Sequence, residues 1–481
     1  MDIIEIEKLD ETYNKITCEP GVAYELNDYF TFDVPGAKFM PAYKNKFWDG
    51  KVRLYNVMTG LLYGGLNKYV EEFANSRNYS LIYKSDFSAD EFSVKEAKDF
   101  IAEIKPTFEP RDYQLEAFVH AIRNRRSLLL SPTASGKSFI IYLIVRYYAQ
   151  RTLIIVPTTS LVSQLASDFA DYGFVSDRFV HRIFAGQDKQ TDKPITISTW
   201  QSIYKLPKEY FQQFNVVIGD EAHLFKAKSL NSIMSNLNNC RYRFGFTGTL
   251  DGTQTHKLVL EGLFGSVRKV TTTSELIEQK HLADFKIKAI VLSYPDEERK
   301  IVSRLDFQDE MDYLVRSEAR NKFIKNLALS LEGNTLLLFQ FVDKHGKILY
   351  DLIKKETTNP VFFIHGGIEG EERERIRKIV ETEKTSIIVA SYGTFSTGVN
   401  IRNLHNVIFA SPSKSRVRNL QSIGRGLRRS ETKTESVLYD ISDDLSWKSK
   451  KNFTLLHFME RIKIYNEEKF DYKLYKVSIN L

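Results

Sequence analysis

The chain is poor in the residues that build metal or disulfide scaffolds. Its two cysteines, Cys18 and Cys240, are too few for a disulfide framework or a structural zinc site, and its nine histidines include no HExxH pair. Any metal is therefore expected to arrive with a bound ligand. Long apolar runs are missing as well: no window approaches the roughly 18 uninterrupted apolar residues of a membrane span. The N-terminus, Met1-Asp2-Ile3-Ile4-Glu5-Ile6-Glu7, is acidic and has neither a basic segment nor a cleavage site. These absences predict a soluble cytoplasmic protein with no membrane partner. Strong charge of one sign is lacking too. The net charge is +7, but residues 1–100 carry 12 basic against 17 acidic side chains, a net of −5 that leaves +12 on the remainder. A basic remainder favours a polyanion through counterion release, with RNA, DNA and plain solubility all open.

A chain of 481 residues is expected to form about three domains. Residues 1 to about 90 hold short β-like runs at 51–55 and 80–83, helix-like segments at 22–30 and 66–77, and a turn at Gly64-Gly65, which together predict a small α+β domain. Within it, Lys38 to Arg53 carries five basic residues against one acidic. Phe39, Tyr43, Phe47 and Trp48 stand between them. Cations such as Lys46 and Lys51 beside an aromatic such as Trp48 suit nucleic acid by phosphate contact and stacking, and the same pattern describes a half-buried hairpin with a solvated edge. Residues 85–104 read as a linker merging into a helix.

Strand and helix patterns then alternate. Strands are predicted at 127–131, 152–156, 195–198, 214–219 and 243–247, and a second series at 286–293, 335–341, 360–364, 385–390, 405–410 and 435–441. The fold class is therefore α/β: two tandem parallel-sheet domains, 91–282 and 283–445, each with its ligand crevice at the carboxyl ends of the strands. Residues 446–481 read as a basic helical tail, net +4, with Leu455, Leu456, Phe458, Met459 and Ile462 as an apolar face that docks on the second domain.

The stretch that carries chemistry is Ser131-Pro132-Thr133-Ala134-Ser135-Gly136-Lys137-Ser138, between an apolar strand and an apolar helix. Loop and helix N–H groups there converge on an anion, Lys137 would reach β- and γ-phosphates, and the Ser138 hydroxyl would ligate Mg²⁺. The strand Phe214-Asn215-Val216-Val217-Ile218-Gly219 ends in Asp220-Glu221-Ala222-His223, placing two carboxylates at the crevice mouth. Asp220 there can hold the hydrated Mg²⁺, and Glu221 can orient and deprotonate a water for in-line attack. In the second series, Gln421-Ser422-Ile423-Gly424-Arg425-Gly426-Leu427-Arg428 puts Arg425 and Arg428 three apart on one helix face, where they suit either a γ-phosphate or nucleic-acid phosphates.

In order, Arg111-Asp112-Tyr113-Gln114, Gly136-Lys137-Ser138, Val156-Pro157-Thr158-Thr159, Thr199-Trp200-Gln201-Ser202, Asp220-Glu221-Ala222-His223, Thr247-Gly248-Thr249, Thr397-Gly398-Val399-Asn400 and the Gln421 to Arg428 segment resemble the ordered motif set of superfamily 2 helicases. The resemblance implies two RecA-like domains using ATP and Mg²⁺. It implies adenine-side contacts at Arg111, Tyr113 and Gln114, a phosphate cradle of Thr133, Ser135, Gly136, Lys137 and Ser138, and a cleft-closing set of Gln421, Arg425 and Arg428. It also implies sugar-phosphate contacts at Thr158, Thr199, Gln201, Thr397 and Gly398, with Thr247 and Thr249 coupling the two sites. Such backbone contacts carry no base identity. The segments 47–54, 153–159, 390–398 and 468–472 are further similar to phage members that act on branched DNA. That similarity implies DNA junctions, displacement loops, RNA–DNA loops and stalled forks as substrates, phage replication and recombination proteins as partners, and the host cytoplasm as the location. The motor motifs leave an RNA helicase, a duplex translocase that does not separate strands, and an ATP-gated binding switch as alternatives.

Overall fold

The N-terminal strand Ile3–Lys8 alternates buried Ile4 and Ile6 with outward residues, the period-2 pattern of a half-buried strand. In the computed structural model, which describes residues 2–184, 186–394, 401, 403–411, 415, 420, 422–424 and 435–479, it lies in a five-stranded sheet. The spatial order is Tyr55–Asn56, Leu61–Tyr63, Tyr13–Thr17, Ile3–Lys8 and Ser80–Tyr83. Helices Pro20–Tyr29 and Asn67–Arg77 bury Val22, Leu26, Val70 and Phe73 in the same core. A separate ribbon of Thr31–Asp33 and Lys51–Arg53 carries the basic, aromatic segment between its strands.

The chain forms two compact units, Met1–Ser131 with Gly136–Val270, and Pro132–Ser135 with Thr271–Leu481. The first contains a parallel sheet in the order Val180–Ile183, Ile195–Thr199, Thr152–Val156, Val216–Asp220, Tyr242–Thr247, Arg126–Leu130, Val267–Lys269. The five predicted strands are present. The two additional ones are edge strands of four and three residues, too short to stand out as apolar runs. Leu129, Ile154 and Ile218 face one side, where helices Asp112–Asn124, Lys137–Tyr148 and Thr159–Asp171 cover them. Leu128, Leu153, Ile155 and Val217 face the other.

That second face changes the status of the N-terminal domain. Ile4, Leu62, Leu66 and Phe73 share one continuous core with Leu128, Leu153, Phe211 and Leu258, so the N-terminal domain is not a module set apart from the first parallel sheet. Polar bonds lock the seam. Fully buried Arg243 donates to Thr12 Oγ1 at 2.8 Å and to Cys240 O at 3.1 Å, and Tyr69 donates to Glu261 Oε2 at 2.5 Å. A Cβ on Gly65 would sit 1.9 Å from Glu261 O, so the backbones approach as closely as glycine permits.

The second unit holds a parallel sheet in the order Val361–Ile364, Ile387–Ser391, Thr335–Phe339, Asn406–Phe409, Glu435–Asp444, Asp284–Ser293, Asp471–Ser478. The expectation of a purely helical tail is corrected here. After helix Phe453–Glu467 the chain adds an edge strand parallel to Asp284–Ser293. Most of its side chains are exposed, and the alternation of Phe470, Tyr472 and Leu474, then Tyr475, Val477 and Ile479, with polar residues is the period-2 signal of this strand in the sequence. The helix face also differs from the expected one. Phe458, Arg461, Ile464 and Tyr465 point inward and Leu456 and Met459 outward, because Arg461 pairs with buried Asp440 at 2.8 Å. Among the described residues no helix is long and apolar enough to cross a membrane.

Candidate nucleotide site and nucleic-acid surface

Strand Arg126–Leu130 delivers the loop, and Ser131 N–H donates to Thr247 O on the adjacent strand at 2.8 Å. Ala134 (φ +66°) and Gly136 (φ +78°) take left-handed conformations that curl the loop, and Ser135 Oγ donates to Pro132 O at 2.7 Å. Thr133 lies half-buried between them. Helix Lys137–Tyr148 then starts with no side-chain cap. Phe139 N–H turns back to Gly136 O at 3.0 Å, and the positive end of the helix dipole favours an anion at this start. Gln114 is buried against this start: its Oε1 accepts from Arg111 N–H at 2.9 Å and its Nε2 lies 3.5 Å from Gly136 O. Arg111 Nη1 donates to Tyr113 OH at 2.8 Å, so the three predicted adenine-side residues sit together beside the loop.

Strand Val216–Asp220 brings the acids to the same end of the sheet. Lys137 Nζ is 3.1 Å from Glu221 Oε1 and 3.9 Å from Asp220 Oδ1. Burial raises the Asp220 carboxyl above its ordinary range, with Lys137 pulling it down and Glu221 pushing it up. Burial would raise Glu221 as well, but Lys137 and His223 outweigh it and hold Glu221 below the usual carboxylate range. Glu221 is thus kept ionised, whereas burial works against the charged form of Asp220. Asp220 and Ser138 are hard oxygen donors, a set that fits Mg²⁺. Among the described residues no cluster of His, Cys, Asp or Glu forms a metal cage, so such an ion would complete its shell with phosphates and water. Glu221 itself sits at φ +51°, a conformation costing a side-chain-bearing residue on the order of 1–3 kcal/mol.

Two neighbours of this site belong to no motif. Tyr172 OH lies 2.7 Å from Ser138 Oγ, and its ring packs against Phe139 and Tyr142 at 4.9 and 5.4 Å. Burial pushes its phenol up to about 12, so it stays neutral. The second is His256, whose Nε2 donates to His223 O at 2.9 Å. Thr247 Oγ1 donates to Thr249 O at 2.9 Å and lies 3.0 Å from His223 Nδ1, which joins the threonine turn to the acidic one.

The predicted strand-contacting residues of the first sheet also gather. Val156 and Thr199 are register partners, Thr158 caps helix Thr159–Asp171, and Gln201 Nε2 donates to Pro157 O at 3.4 Å. Thr199 is only 4% exposed and its hydroxyl is bonded to Ser202 Oγ at 2.8 Å, whereas Gln201 is exposed. On the N-terminal ribbon Lys46 and Lys51 are exposed, but half-buried Trp48 donates its indole N–H to Lys51 O at 2.8 Å. The rings this segment presents most are Phe39, 70% exposed, and Phe47, 85% exposed, with Tyr43 also exposed. Thr397, Gly398, Gln421, Arg425 and Arg428 lie outside the described residues.

Residues 3–84 match the family described as DNA helicase UvsW, N-terminal; residues 107–252 match the type III restriction enzyme res subunit family; and residues 318–430 match the helicase conserved C-terminal domain. The ATP-dependent DNA helicase uvsW of Enterobacteria phage T4 is 35% identical over 99% of this chain and 100% of its own. The crystal structure of T4 UvsW covers all of both chains with a TM-score of 0.53. The DNA 3'-5' translocase XPB2 of Sulfurisphaera tokodaii is 26% identical over 70% of this chain and 82% of its own. With a matching N-terminal family and full-length similarity in hand, the chain belongs to the UvsW family of superfamily 2 ATP-dependent helicases.

Proposed function

We propose that this protein hydrolyses ATP to move along DNA and that branched DNA is what it remodels: Holliday junctions, displacement loops, RNA–DNA loops and stalled forks arising in recombination, repair and replication restart. What carries the proposal is the Lys137–Glu221 pair, 3.1 Å apart, at the start of a helix with no side-chain cap. Loop and helix N–H groups bind the phosphates, with Thr133 and Ser135 shaping the cradle and Arg111, Tyr113 and Gln114 framing the base. Lys137 then turns from Glu221 to the β- and γ-phosphates. The released Glu221 carboxylate orients the attacking water and takes its proton. Asp220 and Ser138 would hold Mg²⁺, which supplies charge neutralisation at the phosphates.

Thr158 and Gln201 follow the sugar-phosphate backbone, with Thr199 holding the turn beneath them. Phe39 and Phe47, among Lys38, Lys44, Lys46 and Lys51, offer stacking and phosphate contacts to unpaired bases at a branch point. Replication and recombination proteins of a phage are the expected partners. The test is steady-state ATPase with no nucleic acid, single-stranded DNA, duplex DNA, a four-way DNA junction and structured RNA, with Glu221→Gln as the blank. Strongest stimulation by the junction, abolished in the variant, is expected. Stimulation by RNA alone, or turnover indifferent to every nucleic acid, refutes the proposal.

A further inference from the structure

The left-handed turn at Glu221 has to be held in place by its surroundings. Two bonds come from the turn itself: Glu221 N–H donates to Asp220 Oδ1 at 2.9 Å, and Leu224 N–H donates to Glu221 O at 3.0 Å. A third comes from a distant element. His256, on helix Gln254–Phe264 and 4% exposed, donates Nε2–H to the His223 carbonyl at 2.9 Å. Its other ring nitrogen lies 2.9 Å from Asp251 Oδ1, and that carboxylate also accepts from Thr253 N–H and Oγ1 at 2.9 and 2.8 Å. The ring is thus fixed at both nitrogens. The residue whose carbonyl it grips has its own ring 3.4 Å from Glu221 Oε2 and 3.0 Å from Thr247 Oγ1.

We propose that Asp251 and His256 form a positioning pair for hydrolysis: by clamping the His223 carbonyl they keep the His223 ring on Glu221 and the Glu221 carboxylate where it can take a proton from water. The pair touches no reacting atom, so His256 is a positioning residue. The inference rests on Glu221 as the water-activating base.

Two amides of equal polarity and different reach separate positioning from bulk structure. In the full-length protein, the side chain of His256→Gln can extend an N–H to the His223 carbonyl and that of His256→Asn falls short. DNA-stimulated kcat and KM, affinity for a fluorescent ATP analogue, and melting temperature are measured for both, alongside Glu221→Gln. His256→Asn should lower kcat about ten- to a hundredfold, the scale of a small misplacement at the reacting centre. KM and analogue affinity should stay within about twofold, and His256→Gln should recover most of the rate. Equal kcat in both variants, a loss that His256→Gln fails to restore, or a loss carried by KM overturns the pair's role. If Glu221→Gln keeps full activity, the base assignment fails instead, whatever the His256 variants do.

Discussion

Ser138 has one hydroxyl and two demands on it. Its Oγ is bonded to Tyr172 OH at 2.7 Å, yet a bound cation would need the same oxygen. A neutral hydrogen bond contributes about 0.5–1.5 kcal/mol net, so the phenol holds the hydroxyl back by up to roughly a factor of ten. Tyr172→Phe keeps the ring packing against Phe139 and Tyr142 and removes only that bond. The expected result is a two- to tenfold lower half-saturating Mg²⁺ concentration for binding of a fluorescent ATP analogue. An increase would mean that the phenol orients the hydroxyl for the metal. The phosphate loop and the two acids were legible in the sequence because strand, loop and helix context surrounds them. Tyr172 and His256 were not, because each reaches the site across the fold from a segment with no pattern of its own. Trp48 shows the opposite limit: composition marks an aromatic, basic segment, but only backbone geometry decides that Trp48 turns in and Phe47 turns out.

Among the elements, the C-terminal helix is capped from outside. Glu310, 1% exposed and on helix Phe307–Arg316, accepts from Phe453 N–H at 2.9 Å, Thr454 N–H at 2.7 Å and Thr454 Oγ1 at 2.8 Å. Glu310→Ala leaves those donors buried without their acceptor and should cost roughly 2–4 kcal/mol in urea unfolding. A second element ties stability to pH. His345, in the turn Val342–Gly346, lies 3.0 Å from Ser411 Oγ and 3.2 Å from Asn321 Oδ1, and burial, aided by Arg320, lowers its pKa from 6.5 to about 3. The folded protein therefore keeps this ring neutral while the unfolded chain protonates it. Its contribution is complete above pH 6.5 and is lost as pH falls toward 3, by about 1.4 kcal/mol per pH unit. Unfolding free energy should drop by up to roughly 2 kcal/mol between pH 7 and 5 on this account, and His345→Asn should flatten that slope. The central strands of both sheets were readable from apolar runs, whereas the short edge strands Val180–Ile183 and Val267–Lys269 were not. The closing edge strand Asp471–Ser478 carries a period-2 alternation, but it follows a helical pattern directly and most of its side chains stay exposed, so the tail reads as helix throughout.

At the scale of the molecule, the N-terminal domain and the first parallel sheet fold as one body around a shared core. Deleting residues 1–84 would strip the cover from Leu258, Leu260 and Phe264 and leave buried Arg243 without Thr12, so the truncated chain should aggregate or lose several degrees in melting temperature. Loss of activity in such a truncation would say nothing about DNA contacts. The double substitution Phe39→Ala with Phe47→Ala is the cleaner probe. Both rings are exposed, so melting temperature and basal ATP turnover should hold, while junction affinity falls by about 1–3 kcal/mol for each stacked base lost. The seam itself was invisible in the sequence, because Arg243 and Tyr69 read as an ordinary strand arginine and an ordinary helix tyrosine until their partners are known.

The seam also limits how such a protein can be recombined by evolution or by design. A Cβ on Gly65 would meet Glu261 O, and one on Gly262 would lie 2.8 Å from Tyr63 Cβ, so the two surfaces touch through paired absences of side chain. A gain of bulk on either side has to be answered on the other. A chimera that moves the N-terminal domain onto a different motor must therefore import the segment around Gly262 as well, and the inheritable unit is the joined pair.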